Sequence, residues 1–189
     1  MKTLLAKFKY AVATLAMIAG PYGAAASGED LPDRITELLE TLRQAGPDSV
    51  ARVERDVVFE WSKSGSPAMD LLLSRGRAAL EVSDIPLAIA HFTALTDHAP
   101  DFAEGWHGLA LSYVRADALG PAVDALQRTL TLNPHHFQAL RGVGVILELT
   151  GKPDLAQRAY HAALDIRPHD DEVAEALARL APQLRGAPL

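Results

Sequence analysis

Three prolines recur at a constant interval in this 189-residue chain, since Pro100, Pro134 and Pro168 lie 34 residues apart. Small and bulky apolar residues keep the same interval, at Ala88, Ala122 and Ala156 and at Phe92, Leu126 and Tyr160. A fixed period of this length indicates one supersecondary unit that is repeated and stacked along the chain. Such arrays present extended surfaces more often than they build a catalytic cleft.

Each unit is predicted to form a pair of amphipathic helices. In the middle unit, apolar residues follow helical spacing on one face of the first helix, at Trp106, Leu109, Ala110 and Tyr113. Proline opens the second helix of each unit, at Pro86, Pro121 and Pro153, where its missing N–H is harmless. Small residues predict close helix crossings at three pairs, Gly76/Ala88, Ala110/Ala122 and Gly144/Ala156.

The middle unit, residues 103–136, resembles the tetratricopeptide repeat (TPR). That motif places W, L, G/A, Y, A, F and P at fixed positions, which here hold Trp106, Leu109, Ala110, Tyr113, Ala122, Leu126 and Pro134. The resemblance continues in register through residues 69–102 and 137–170. It implies an all-α fold, a right-handed α-solenoid of three helix-turn-helix units.

The segments on either side of the repeats are predicted to cover the ends of the solenoid. Residues 27–68 form a degenerate helical hairpin, which we expect to pack on the first repeat as a cap; the alternative is a docking element for a partner. Residues 171–189 form a capping helix and tail, with Val173, Leu177 and Leu180 on one face.

The N-terminus has the layout of a secretory signal peptide. Lys2, Lys7 and Lys9 precede an apolar stretch that is too short to span a membrane, and Ala24–Ala26 supply small residues for cleavage. Residues 1–26 are therefore predicted to direct export, with cleavage after Ala26 and a periplasmic destination. No direct membrane span is expected after cleavage.

Charge and cysteine content restrict the partners and the means of stabilisation. The formal net charge is −6, and loss of the three signal lysines lowers it to −9, so nucleic acid is an unfavourable partner. The chain has no cysteine, so no disulfide holds the fold together.

The resemblance to TPR proteins implies a concave groove lined by the first helices of successive units. Transferred by register, its partner-binding positions are Leu73, Arg77, Leu80, Glu104, His107, Leu111, Val114, Gln138, Arg141, Val145 and Glu148, with Asp70 at its edge. Apolar residues dominate the middle, which suits a protein or peptide partner with apolar anchors. The Lys and Asn residues with which some family members grip a terminal carboxylate are absent, since those positions hold Leu73, Arg77, Gly108, Gln138 and Gly142.

No motif for catalysis, metal binding or a cofactor was found. The seven histidines include no His-x3-His pair, and the serine-hydrolase, zinc-protease and phosphate-loop patterns are missing. We therefore expect no catalytic residues, no metal site and no cofactor.

The leading functional hypothesis is a non-enzymatic, periplasmic interaction scaffold or assembly factor in cell-envelope maintenance or complex assembly. The alternative is an accessory subunit of a membrane complex, anchored through its N-terminal segment. A metal-binding or enzymatic role for the histidines is the weakest of the three.

N-terminal sequencing of the exported protein tests the signal peptide. Cleavage after Ala26 predicts a mature chain that begins at Ser27, because Ala24–Ala26 supply the small residues that the peptidase reads. A mature chain that still begins at Met1 would support the anchored alternative.

Overall fold

The computed structural model describes residues 33–185, and the predicted signal peptide, its cleavage site and the tail after Arg185 lie outside this range. Within it the chain forms helices and no β-strand. The helices in chain order are α1 (Asp33–Gln44), α2 (Pro47–Trp61), α3 (Pro67–Glu81), α4 (Ile85–His98), α5 (Ala103–Arg115), α6 (Leu119–Leu132), α7 (Phe137–Leu149), α8 (Pro153–Leu164) and α9 (Asp171–Arg185).

The 34-residue period is present in the backbone as well as in the side chains. The turns inside the three repeats place Ser83, Asp117 and Gly151 in the left-handed region, with φ of 58°, 56° and 70°. These residues are spaced by the same interval as the prolines. Asp117 therefore adopts the conformation that glycine adopts at residue 151, and aspartate tolerates it better than most residues do.

Aromatic rings fill the space between helices, both within a repeat and between neighbouring repeats. A Cβ added at Gly76 would lie 2.6 Å from the Phe92 ring, and one at Gly108 would lie 2.2 Å from it. In the third repeat, a Cβ at Gly144 would lie 2.4 Å from Tyr160. The sequence predicted that these two glycines, Gly76 and Gly144, contact alanines of the second helix. Their nearest neighbours are instead the aromatic rings, because each ring lies one turn after the alanine and covers the helix crossing.

The backbone carbonyl of Pro100, the first of the periodic prolines, connects the first repeat to the second. Pro100 accepts a hydrogen bond from the Trp106 indole N–H at 2.8 Å and one from Arg128 at 3.3 Å. Arg128 also pairs with Asp101 at 3.1 Å. The loop between the first two repeats is thereby fixed to the second repeat.

The N-terminal hairpin lies elsewhere than the sequence predicts. Its buried residues, including Leu42 and Val57, belong to one hydrophobic cluster with the second and third repeats and with α9. The first repeat has its own cluster around Phe92, to which no hairpin residue belongs. The prediction that the hairpin packs on the first repeat as a cap is therefore wrong, because its apolar face is buried with the later repeats.

Helix α9 covers the last repeat. Val173 and Leu180 are buried and Leu177 packs partly against the same cluster, in agreement with the predicted apolar stripe. The Asp170 carboxylate accepts a hydrogen bond from the Val173 N–H at 3.2 Å, which caps the start of this helix. Within residues 33–185, no helix has both the length and the apolar character needed to cross a membrane.

The packing of Phe92 between two glycines predicts that Gly108→Ala destabilises the fold. The ring is fully buried and has Gly76 on its other side, so it cannot move away from a new methyl group. We expect a loss of about 1–3 kcal/mol in the free energy of unfolding, measured by urea denaturation.

Gly120→Ala is the matched control, since a Cβ there meets nothing within 4 Å and alanine favours the helix. It should leave stability unchanged or raise it. A Gly108→Ala variant as stable as the parent would contradict the steric account.

Candidate binding groove

The first helices of the three repeats, α3, α5 and α7, line a pocket of about 450 Å³. Nine of the eleven positions predicted from the repeat register line it: Arg77, Leu80, Glu104, His107, Leu111, Val114, Gln138, Arg141 and Val145. Phe92 of α4 and Leu126 of α6 also line it, and Val58 of α2 contributes from the hairpin. The register therefore predicted most of the lining and missed the part that the hairpin adds.

Two predicted groove residues lie outside the pocket. Leu73 is buried in the core of the first repeat, because its apolar side chain packs with the cluster around Phe92. Glu148 accepts a hydrogen bond from the Tyr160 hydroxyl at 2.9 Å and pairs with Arg179 of α9 at 3.3 Å, so it joins the third repeat to the cap. Asp70 accepts hydrogen bonds from the Ser64 backbone and hydroxyl, at the turn before α3.

Glu104 lies at the centre of the groove and is buried, with only 2% of its side chain exposed. One carboxylate oxygen pairs with Arg77 of α3, and the other lies 3.0 Å from Nε2 of His136. The sequence predicted an accessible groove residue at this position. Burial is possible because both oxygens have partners, which offsets much of the cost of removing the charge from water.

His136 connects this carboxylate to the start of the third repeat. Its Nδ1 accepts a hydrogen bond from the Ala139 N–H at 3.2 Å, which caps helix α7. A ring nitrogen that accepts carries no proton, so the proton of this tautomer is on Nε2 and is donated to Glu104. One side chain thus satisfies a helix end and a buried carboxylate together.

Aromatic stacking extends the network on both sides of His136. The Trp61 ring of α2 stacks on His136 with centroids 4.8 Å apart, and it approaches Phe137 at 5.5 Å. The His107 ring lies 4.3 Å from His136 on the groove side. The end of the hairpin is therefore held against the junction between the second and third repeats.

The surroundings of the network shift two acid–base equilibria. Burial raises the pKa of Glu104, but the hydrogen bond with His136 and the attraction of His136, His107 and Arg77 outweigh it and lower the pKa to about 2. Burial and the neighbouring His136 lower the pKa of His107 to about 3; Glu104 opposes this shift, while Arg77 and Arg141 add to it. At neutral pH, Glu104 is charged and His107 is neutral.

Polar contacts join the hairpin to the third repeat and to the first. Glu54 of α2 pairs with Arg167 at 2.8 Å and accepts a hydrogen bond from Gln138 at 3.4 Å. Ser62, just after α2, accepts a hydrogen bond from Arg77 at 2.8 Å. Helix α2 thus lies against the concave side of the array and narrows the groove to the pocket described above.

Comparison with known proteins gives the family. A protein-family model described as Tetratricopeptide repeat matches residues 73–128 and 121–171, which together are just over half of the chain. A TPR repeat-containing protein of Rhizobium etli is 31% identical over 155 residues, covering 81% of this chain and 76% of the relative. The chain belongs to the tetratricopeptide repeat family.

Solved TPR structures share the fold. The first TPR of Spaghetti (RPAP3), bound to the HSP90 peptide SRMEEVD, has a TM-score of 0.60 at 19% identity, covering 62% of this chain and 94% of that one. The crystal structure of MamA protein has a TM-score of 0.57 at 21% identity, covering 79% and 80%. These likenesses, together with the helices of residues 33–185, establish the all-α TPR solenoid.

Glu104, His107 and His136 also place possible metal ligands within 4.8 Å of one another. A cation on Nε2 of His136 would require the ring proton to move to Nδ1, where it would meet the Ala139 N–H. Both oxygens of Glu104 are already engaged, one of them with a guanidinium. The geometry therefore favours a hydrogen-bonded bridge over a metal centre.

The sequence reasoning missed this cluster because its members are far apart in the chain. Glu104 and His107 are three residues apart on α5, which places them on one helical face, and this spacing was available from the sequence. His136 lies 32 residues after Glu104, and only the stacking of repeats brings it near. The apolar spacing of the second hairpin helix includes Trp61, but its contact with His136 could not be predicted, since it depends on where the hairpin docks.

The shifted pKa values predict that the TPR array loses stability in acid. Below pH 6.5 the unfolded state protonates His107 while the folded state does not until about pH 3. Below pH 4.5 Glu104 adds a second loss, which continues to about pH 2. Each group reduces the free energy of unfolding by up to about 1.4 kcal/mol per pH unit in its window.

His107→Gln should therefore flatten the profile between pH 6.5 and 4.5, as measured by urea denaturation at fixed ionic strength. Leu111→Gln, one turn later on α5, introduces the same amide without removing a titrating group and should keep the parental slope. An unchanged slope in His107→Gln would show that this histidine does not carry the effect.

Proposed function

We propose that this TPR protein is an exported, non-enzymatic scaffold or assembly factor that binds a protein or peptide partner on its concave side. The observation that carries the proposal is the pocket between α3, α5 and α7, whose apolar lining remains open although the hairpin covers the neighbouring surface. TPR proteins are in general interaction scaffolds, and the RPAP3 domain described above holds an HSP90 peptide.

The partner contact is expected to centre on two exposed apolar residues. Leu111 and Val145 are 40% and 39% exposed and lie on neighbouring first helices. They give a partner an apolar anchor point, with Arg141 beside them. Because α2 narrows the groove, we expect a partner that inserts one or two apolar side chains in preference to a helix along the whole groove.

The proposed place of action is the periplasm, and the proposed role is in envelope maintenance or complex assembly. The support is the sequence of residues 1–26, with its lysines, short apolar stretch and Ala24–Ala26. The acidic charge of the chain agrees with a protein partner and opposes nucleic acid.

Partner capture tests the groove directly. The combined substitution Leu111→Glu and Arg141→Glu should abolish capture of partners from envelope extracts, because it places two carboxylates at an apolar, cationic surface. Circular dichroism should show unchanged helix content. Capture is measured by affinity pull-down, with the partners identified by mass spectrometry.

Leu149→Glu combined with Arg128→Glu is the matched control. Leu149 is on α7, one turn after Val145, and is 65% exposed, while Arg128 pairs with Asp101 away from the pocket. This variant should capture the same partners as the parent. Retained capture by the groove variant would remove the groove from the proposal.

A further inference from the structure

We propose that the pocket between α3, α5 and α7 binds a small amphipathic carboxylate, an aliphatic acid whose tail enters the pocket and whose carboxylate stays near Arg77, His107 and Arg141. This binding does not depend on a protein partner. It would give the array a ligand site of its own, beside its role as an interaction surface.

The size and lining of the pocket match a small apolar ligand. Its volume of about 450 Å³ is within the range of small-molecule sites, roughly 300–1,000 Å³. The lining is mainly aliphatic and aromatic: Val58, Leu80, Phe92, Ala110, Leu111, Val114, Leu126 and Val145. Val58 belongs to the hairpin, so α2 encloses on one side a surface that would otherwise be open.

The polar groups around this apolar space carry positive charge. Arg77, His107 and Arg141 all line the pocket, and the charges of both arginines contribute to the lowered pKa of His107. The ring nitrogens of His107 make no hydrogen bond in the part of the chain that the structure describes, so an N–H of this ring is available to a ligand. Two guanidiniums and one free donor suit a single carboxylate.

Acidic groups near the pocket pair with these arginines, but only one of them belongs to the described lining. Glu104 is the one carboxylate in the pocket lining, and it is buried and paired with Arg77 and His136. Arg141 pairs with Glu172 at 2.9 Å and with Asp170 at 3.6 Å, but Glu172 is largely exposed and Asp170 also pairs with Arg167 at 3.0 Å. Within the described lining, an acid that enters therefore faces two guanidiniums and one carboxylate, and that carboxylate is already engaged.

Calorimetric titration of the purified protein with hexanoate, octanoate and decanoate, each below its micelle concentration, tests the proposal. We expect one saturable site. Each added pair of methylenes should tighten the Kd by about tenfold until the pocket is filled, because each buried methylene contributes to transfer from water. Octan-1-ol, with the same tail as octanoate and no charge, should bind more weakly.

Two pairs of variants locate the site. Val145→Glu should abolish octanoate binding, and Leu149→Glu on the same helix, outside the pocket, should leave it unchanged. Arg141→Gln should weaken octanoate by about five- to tenfold and leave octan-1-ol unchanged, since one charge-assisted hydrogen bond is lost. Arg128→Gln, at a residue that pairs with Asp101 and does not line the pocket, is the charge control.

Several outcomes would overturn the proposal. These are the absence of saturable binding of octanoate and decanoate, equal binding of octanoate and octan-1-ol, or equal losses in Val145→Glu and Leu149→Glu. Circular dichroism and urea denaturation of each variant separate loss of the site from loss of the fold. Failure here would leave the protein-binding proposal intact, because partner capture is measured independently.

Discussion

The buried carboxylate of Glu104 is the interaction on which the arrangement of the groove depends. It joins Arg77 of the first repeat to His136 at the junction with the third, from a position on the first helix of the second repeat. Removing one partner from such a buried pair typically costs about 3–5 kcal/mol, because the other charge is left without compensation. Stacking of helices by apolar contacts alone tolerates small rotations, whereas this bridge is satisfied in one arrangement only.

His136 extends the same constraint to the hairpin. Because its Nδ1 caps α7 and its Nε2 faces Glu104, the orientation of the imidazole is fixed, and Trp61 stacks on a ring that cannot turn. The ion pair between Glu54 and Arg167 holds α2 against the third repeat at a second point, nearer the middle of the helix. The polar network at the centre of the repeats therefore also determines where α2 lies.

The period of the sequence predicted the repeats because each unit is largely determined by its own residues and its neighbours. Pro100, Pro134 and Pro168 gave the register, and nine of the eleven positions predicted from the register line the pocket. The turns inside the repeats keep the same interval, and Ser83, Asp117 and Gly151 share one backbone conformation there. The repeat register predicts which way a side chain points, but not whether neighbouring side chains cover it. Leu73 was therefore assigned to the groove although it is buried in the core of the first repeat.

The position of the hairpin could not be predicted from the period of the sequence. Residues 33–61 lack the repeat signature, so nothing in their spacing relates them to a neighbour, and end-capping was the simplest expectation for a terminal segment. Their apolar face is instead buried with the later repeats, where Glu54 also pairs with Arg167 and Trp61 stacks on His136. Those contacts join residues up to 113 positions apart. The consequence concerns the site, since α2, a helix whose existence was predicted but whose position was not, contributes Val58 to the pocket and narrows the groove.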